Sequence, residues 1–148
     1  MQEIRNFVRL TDTIATAGQP TATQFRLVAE ADYDFVVNLA MPDDAGAPAD
    51  EGAIAARLGM GYVHLPVPWT APTPGHVRTF CRIMRALGDR RVFVHCAANY
   101  RVSAFSYHYL TKVLGLADRQ ARSPIFDVWT PEGVWAEVMS WTDADIGV

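Results

Sequence analysis

The sequence is short of three features that mark particular classes of protein: lysine, cysteine and long apolar runs. Lys112 is the only lysine, and the 148 residues carry a formal net charge of −3. The chain therefore offers no basic stripe for a nucleic acid or a membrane surface. It contains no run of about 18 apolar residues, and its first residues lack the charged-then-apolar pattern of a signal peptide. We therefore expect a soluble, cytoplasmic protein with neither nucleic acid nor membrane as a partner.

Only two cysteines, Cys81 and Cys96, occur in the chain. They lack the C-x2-C spacing of metal sites, so we expect no disulfide framework and no structural zinc. No cofactor and no metal site are expected elsewhere in the chain. Cys81 falls on the apolar stripe of a predicted helix and is expected to be a core residue. Half of the residues are apolar, enough for one compact domain over residues 1–148. Abundant alanine, with arginine in place of lysine, indicates a bacterial source.

Apolar, β-rich runs alternate with helical patterns along the chain. This alternation predicts an α/β fold with a mainly parallel central sheet and helices on both faces. Thr21 and Gln24 match a capping box for the first helix, and Thr130-Pro131 is expected to cap a last helix that reaches Trp141. In parallel sheets, ligands bind beyond the carboxyl ends of the strands. The loops at 41–48, 68–74 and 95–101 should meet there, with Trp69 as a wall of the crevice.

A nucleophile is predicted where the strand Val92-Phe93-Val94 ends at His95-Cys96 and a helix follows. The first N–H groups of a helix lack internal partners and carry partial positive charge, so a cysteine in this turn favours the thiolate. Arg101 adds a planar cation suited to a tetrahedral oxyanion. The Ser103 hydroxyl is placed to donate a hydrogen bond to the sulfur or to a leaving oxygen.

His-Cys, a short loop, Arg and a nearby Ser resemble the signature of the protein tyrosine phosphatase superfamily. The surrounding chain is similar to its small bacterial branch at several places: Ala17-Gly-Gln-Pro20, Asn38-Leu39, Val67-Pro-Trp69, Trp129-Thr-Pro131 and Trp135. The resemblance implies a phosphatase-like hydrolase of phosphotyrosine-like or other aryl phosphates, acting through a phosphocysteine. It assigns catalysis to Cys96, Arg101 and Ser103. Its substrate-binding residues would be His95, Ala97, Ala98, Asn99 and Tyr100, and His95 would orient the loop and tune the thiol.

The loop departs from the family pattern, because four residues separate Cys96 from Arg101 where the family has five. When the loop is aligned with the family pattern without a gap, Asn99 falls where the family often has glycine and Ser103 falls on the family's hydroxyl position. Only the arginine is then displaced, by one residue. Asparagine is the residue other than glycine that best tolerates a left-handed backbone. Alternatively the loop is one residue tighter and resembles that of rhodanese-type sulfurtransferases, which holds a sulfur.

The second departure from the family pattern concerns the general acid, which protonates the leaving oxygen. Phosphatases of this kind place an aspartate on a mobile loop, yet residues 68–75 contain no acidic side chain. Asp43 and Asp44 are the acidic residues that the predicted topology sends to the same edge, so they are the candidate general acids. Three functions follow, in this order: a phosphatase-like hydrolase, a sulfurtransferase or persulfide carrier, and a catalytically weak phosphate-binding protein.

Overall fold

A central sheet of five strands organises the computed structural model, which describes residues 1–148. The strands are β1 (Val8–Arg9), β2 (Ile14–Ala17), β3 (Phe35–Asn38), β4 (Gly61–His64) and β5 (Val92–His95). Their order across the sheet is β1-β2-β5-β3-β4. Only β1 runs antiparallel to its neighbour. The mainly parallel sheet that the sequence predicts is confirmed, and β5 lies at its centre.

Helices pack on both faces of the sheet, as predicted. They are α1 (Phe25–Glu30), α2 (Glu51–Arg57), α3 (Pro74–Leu87), α4 (Tyr100–His108) with a π-helical continuation (Tyr109–Val113), α5 (Asp118–Ala121), a 3-10 turn (Pro124–Asp127), α6 (Val134–Ser140) and α7 (Asp143–Ile146). The first two cover one face, while α3, α4, α6 and α7 cover the other. None of these helices combines the length and the apolar character needed to cross a membrane.

The two apolar cores explain why the central strands carry runs of consecutive apolar residues. Along β5, Val92 and Val94 point into the larger core and Phe93 into the smaller one. In β3, Val37 likewise points into the larger core and Val36 into the smaller one. Alternate side chains of a strand point to opposite faces, and here both faces are covered. The centre of the sheet is therefore a rigid base for the loop that follows β5.

The helix ends differ from the sequence-based expectation in two places. The capping box between Thr21 and Gln24 forms, with hydrogen bonds of 3.0 and 3.2 Å, but α1 itself begins at Phe25. The predicted last helix begins at Val134 rather than after Thr130-Pro131, because Gly133 has a positive φ of 57°. It ends before Trp141, whose backbone is extended, and a separate helix, α7, follows.

We expect His108 to weaken the fold as the solution becomes acidic. Its ring is buried, Nε2 lies 2.7 Å from the Val138 carbonyl oxygen, and burial lowers the pKa to about 4. The unfolded chain takes up this proton near the ordinary value of 6.5. The free energy of unfolding should therefore fall between these two pH values, by up to about 3 kcal/mol. Urea denaturation at a series of pH values measures the fall. His108→Gln should lack this part of it, and an unchanged slope would contradict the assignment.

Candidate active site

Cys96 lies directly after β5, at the carboxyl edge of the sheet, and its exposed fraction is only 1%. It nevertheless lines a surface cavity of about 290 Å³. The other lining residues are Asp44, Trp69, Ala97, Ala98, Tyr100 and Arg101. Each of the three loops that the topology sends to this edge contributes to the lining. The predicted meeting of the loops is therefore observed, and the sulfur lies at the base of a small cavity.

The backbone of the Cys96 loop leaves a run of N–H groups free. Those of Ala97, Ala98, Tyr100 and Arg101 donate no hydrogen bond to another group of the protein. The Ala97 carbonyl accepts from the Gln19 N–H at 3.0 Å, and the Ala98 carbonyl accepts from Asn6 Nδ2 at 2.9 Å. Successive free N–H groups at the start of a helix form an anion-binding concavity. The loop can thus hold an anion beside Cys96 without any metal.

Gly18 allows this close approach between the loop and the N-terminal segment. A Cβ at this position would lie 2.7 Å from the Ala97 carbonyl oxygen, closer than carbon and oxygen can pack. The glycine of the Ala17-Gly-Gln-Pro20 segment is therefore needed because the chain passes against the back of the loop.

Asn99 has the left-handed backbone that the sequence suggested, with φ 69° and ψ 10°. Its Nδ2 donates to the Asn6 carbonyl at 2.7 Å and to Thr16 Oγ1 at 3.0 Å, and its Oδ1 accepts from Ser103 Oγ at 3.2 Å. The Ser103 hydroxyl is thus directed at Asn99. The described contacts give Ser103 a part in holding the loop, while its predicted part in catalysis stays a prediction.

Arg101 is almost fully buried and links the three loops. Its Nη1 donates to the Val67 carbonyl at 2.8 Å, and its Nη2 lies 2.6 Å from Asp44 Oδ2. The same carboxylate oxygen accepts from the Met41 N–H at 3.0 Å. Of the two candidate acids, the structure brings Asp44 to the cavity, whereas Asp43 is exposed and does not line it.

Glu51 is a site residue that the sequence reasoning missed. It lies at the start of α2, and its Oε2 is 2.6 Å from Nε2 of the fully buried His95. Burial raises the pKa of Glu51, but hydrogen bonds from His95, Gln19 and Tyr62 and the attraction of His95 outweigh burial and leave the pKa lowered. The spacing in the sequence indicated that Glu51 faces inward, because it lies four residues before the inward-facing Ala55 and residues four apart share one face of a helix.

Aromatic residues form the outer wall of the cavity. Tyr100 of the loop stacks on Trp129 at 4.8 Å, and Trp69 stacks on Trp135 at 5.0 Å. Trp135 Nε1 also donates to the Trp69 carbonyl at 2.8 Å. Trp69, which is 43% exposed, separates the Cys96 cavity from a wider cleft of about 630 Å³. Trp69 thus forms one wall of the crevice, as the sequence analysis predicted.

Cys81, unlike Cys96, does not line the cavity. It belongs to the apolar side of α3, and burial raises its pKa to about 11. A protonated thiol within a hydrophobic core is unreactive, so the site has one candidate nucleophile.

Comparison with known proteins identifies similar chains. No protein-family model matches this one. The crystal structure of a phosphatase-like DUF442 protein from Shewanella putrefaciens is 33% identical, covers 94% of this chain and 89% of that chain, and has a TM-score of 0.85. Beta-lactamase hydrolase-like proteins from two strains of Xylella fastidiosa are 30% identical over 111 residues, which is 72% of this chain. The chain spans about a quarter of the length of these curated relatives, since the match covers 25% of each.

Two more distant structures share the fold. Tk-PTP in its active form is 23% identical, with a TM-score of 0.66 over 78% of each chain. TpbA from P. aeruginosa is 22% identical, with a TM-score of 0.65 over 82% of this chain and 71% of that chain. A Cys-to-Ser variant of TpbA is seen in complex with phosphotyrosine.

We expect Asn99→Ala to destabilise the protein more than Asn99→Gly. Both lose three hydrogen bonds of the side chain, but alanine also strains the left-handed backbone. The loss should be about 2–4 kcal/mol for alanine and about 1 kcal/mol less for glycine. Urea denaturation of both variants measures the difference. Equal stabilities would show that the backbone conformation contributes nothing.

Proposed function

The chain belongs to the protein tyrosine phosphatase-like family, and from this premise we propose that it is a cysteine-dependent hydrolase of phosphate monoesters, with aryl phosphates as substrates. One observation carries the proposal: Cys96, Arg101 and a loop whose N–H groups at Ala97, Ala98 and Tyr100 have no partner in the protein line one small cavity. Such donors fit the three outer oxygens of a phosphoryl group. The phosphotyrosine complex of TpbA supports the aryl class.

The proposed reaction has two displacements at phosphorus. The Cys96 sulfur attacks in line, the S–P bond forms, and the P–O bond to the leaving group breaks with its electron pair going to that oxygen. Water then attacks the phosphocysteine, releasing phosphate and returning the electron pair to sulfur. The free N–H groups and Arg101 hold the outer oxygens through both steps, and His95 keeps the loop in place from behind.

Asp44 is the proposed donor of the proton that the leaving oxygen needs. It is the acidic side chain that lines the cavity with Cys96, and Arg101 Nη2 holds it at 2.6 Å. A bound phosphate would draw the guanidinium away and place a second negative charge beside the carboxylate. Both changes favour a proton on Asp44 when a substrate is present.

Sulfur transfer is a second candidate, and a specific observation favours it. The Arg101 donors described above already bind Val67 and Asp44, and the rest of the lining is small or aromatic. A persulfide needs N–H donors but less positive charge than a phosphate dianion. In this reaction the Cys96 thiolate takes the outer sulfur of thiosulfate, the S–S bond breaks, and sulfite leaves with the electron pair. A thiol acceptor would then receive the sulfur.

We expect the purified protein to release phosphate from p-nitrophenyl phosphate and Cys96→Ser to lose that release entirely, because serine is a far weaker nucleophile. Cys81→Ser is the matched control and should retain it. Mass spectrometry after thiosulfate treatment tests the second candidate through the gain of one sulfur atom on Cys96. Phosphate release that survives Cys96→Ser would overturn the mechanism. Vanadate binding without either reaction would instead indicate a phosphate-binding protein.

We expect Asp44→Asn to lower kcat for phenyl phosphate by about 10²-fold or more, since this poor leaving group needs a proton. The loss for p-nitrophenyl phosphate should be much smaller, because nitrophenolate departs without one. Asp43→Asn removes the neighbouring, exposed carboxylate and should change neither rate. Steady-state kinetics with the two esters measures the contrast. Equal losses for both esters would assign Asp44 to binding Arg101 alone.

A further inference from the structure

The wide cleft beyond Trp69 takes no part in the reaction proposed above. Its volume is about 630 Å³, more than twice that of the Cys96 cavity. Two threonine side chains line it together with Trp69, Val128, Trp129, Glu132, Val134 and Trp135. Small-molecule sites usually measure about 300–1,000 Å³. The Cys96 cavity alone is at the lower limit of this range, whereas the cleft is well inside it.

The cleft gathers most of the exposed apolar surface of the protein. Only three large apolar side chains are exposed, and two of them, Trp69 and Val128, line the cleft. Val128 is 74% exposed, so it contributes little to the packing of the fold. Exposed apolar side chains that are grouped together mark binding surfaces, whereas single ones need no explanation. The cleft therefore fits an apolar ligand.

The aromatic walls of the cleft are held in place without a ligand. Trp135 is almost fully buried, its ring stacks on Trp69 at 5.0 Å, and its Nε1 donates to the Trp69 carbonyl at 2.8 Å. Trp129 stacks on Tyr100 of the Cys96 loop, with 3° between the ring planes. A preformed surface binds a ligand at a smaller loss of side-chain freedom. These stacked rings also make the cleft continuous with the Cys96 cavity.

Charge limits the part of a ligand that the cleft accepts. Glu132 is the one charged residue that lines it, so no arginine or lysine does. A second phosphate there would lie beside a carboxylate with no cation to neutralise it. The Cys96 cavity, by contrast, contains Arg101 and loop N–H groups without a partner. The anionic end of a ligand therefore fits the cavity, and its uncharged apolar end fits the cleft.

We propose that the substrate is an aryl phosphate of more than one ring, whose second ring extends past Trp69 and rests in the cleft. Aromatic rings prefer offset or edge-to-face contacts with other rings, and such contacts add to the gain from apolar burial. The proposal rests on the proposed function, because it places the phosphoryl group beside Cys96. The cleft would then distinguish between substrates whose phosphoryl groups the Cys96 loop binds equally.

The test compares phenyl phosphate with 3-phenylphenyl and 4-phenylphenyl phosphate. The phenols of the three esters are similarly acidic, so a difference in kcat/KM reports the second ring. We expect kcat/KM to be about tenfold higher for at least one phenylphenyl ester. Val128→Asp should abolish this gain, because it places a carboxylate against the second ring. Leu114→Asp is the matched control, since Leu114 is exposed but does not line the cleft, and it should retain the gain.

Calorimetry separates this proposal from the proposed function, because binding needs no turnover. Cys96→Ser should bind one phenylphenyl ester about tenfold more tightly than phenyl phosphate, and adding Val128→Asp should abolish the preference. If that preference is observed and the unaltered protein hydrolyses none of the esters, only the proposed function is contradicted. Equal affinities for the three esters, or a preference that survives Val128→Asp, would overturn the use of the cleft even if phenyl phosphate is hydrolysed.

Discussion

The hydrogen bonds behind the Cys96 loop are the constraint on which the candidate site depends. The Ala97 and Ala98 carbonyls are tied back to Gln19 and Asn6. The N–H and C=O of a peptide group point in opposite directions, so tying back the Ala97 carbonyl turns the Ala98 N–H away from the N-terminal segment. The N-terminal segment thus holds the Cys96 loop in shape through these hydrogen bonds. Gly18 is the residue that permits this contact, because any Cβ there would collide with the Ala97 carbonyl.

The shortened loop also determines where the arginine lies. With Asn99 in the left-handed region, α4 begins at Tyr100 and Arg101 falls in its first turn. A cation there is unfavourable beside the positive end of the helix, and the Asp44 carboxylate at 2.6 Å offsets that cost. From its planar, permanent charge, the sequence analysis predicted that Arg101 binds an oxyanion. The structure supplies such an anion from within the protein, and a ligand would have to compete with it.

The fold was largely predictable from the sequence, because continuous apolar runs such as Val92-Phe93-Val94 arise only where both faces of a sheet are covered. The convergence of the three loops followed from that topology. The Glu51–His95 contact was not predictable, since it joins residues 44 positions apart and depends on how α2 packs against β5. The start of α6 after Gly133 and its end before Trp141 were missed because both residues adopt conformations that tertiary packing selects. Which of Asp43 and Asp44 reaches the cavity was likewise not predictable, because both lie in a loop and a loop has no hydrophobic periodicity from which its shape could be predicted.

Arg101 has an acidic partner before any ligand arrives. Its Nη2 lies 2.6 Å from Asp44 Oδ2. In the proposed function, an anion would therefore be held mainly by the N–H groups of the loop. In the proposed reaction, a phosphate dianion gains full neutralisation only if Arg101 exchanges Asp44 for the phosphate, and the carboxylate then lies beside a new negative charge. The exchange that strengthens phosphate binding would then also release Asp44 from Arg101 for its proposed role as the acid. A persulfide has a smaller, softer charge and would leave the Arg101–Asp44 pair intact. Whether this ion pair breaks or persists when the substrate binds therefore distinguishes phosphate hydrolysis from sulfur transfer.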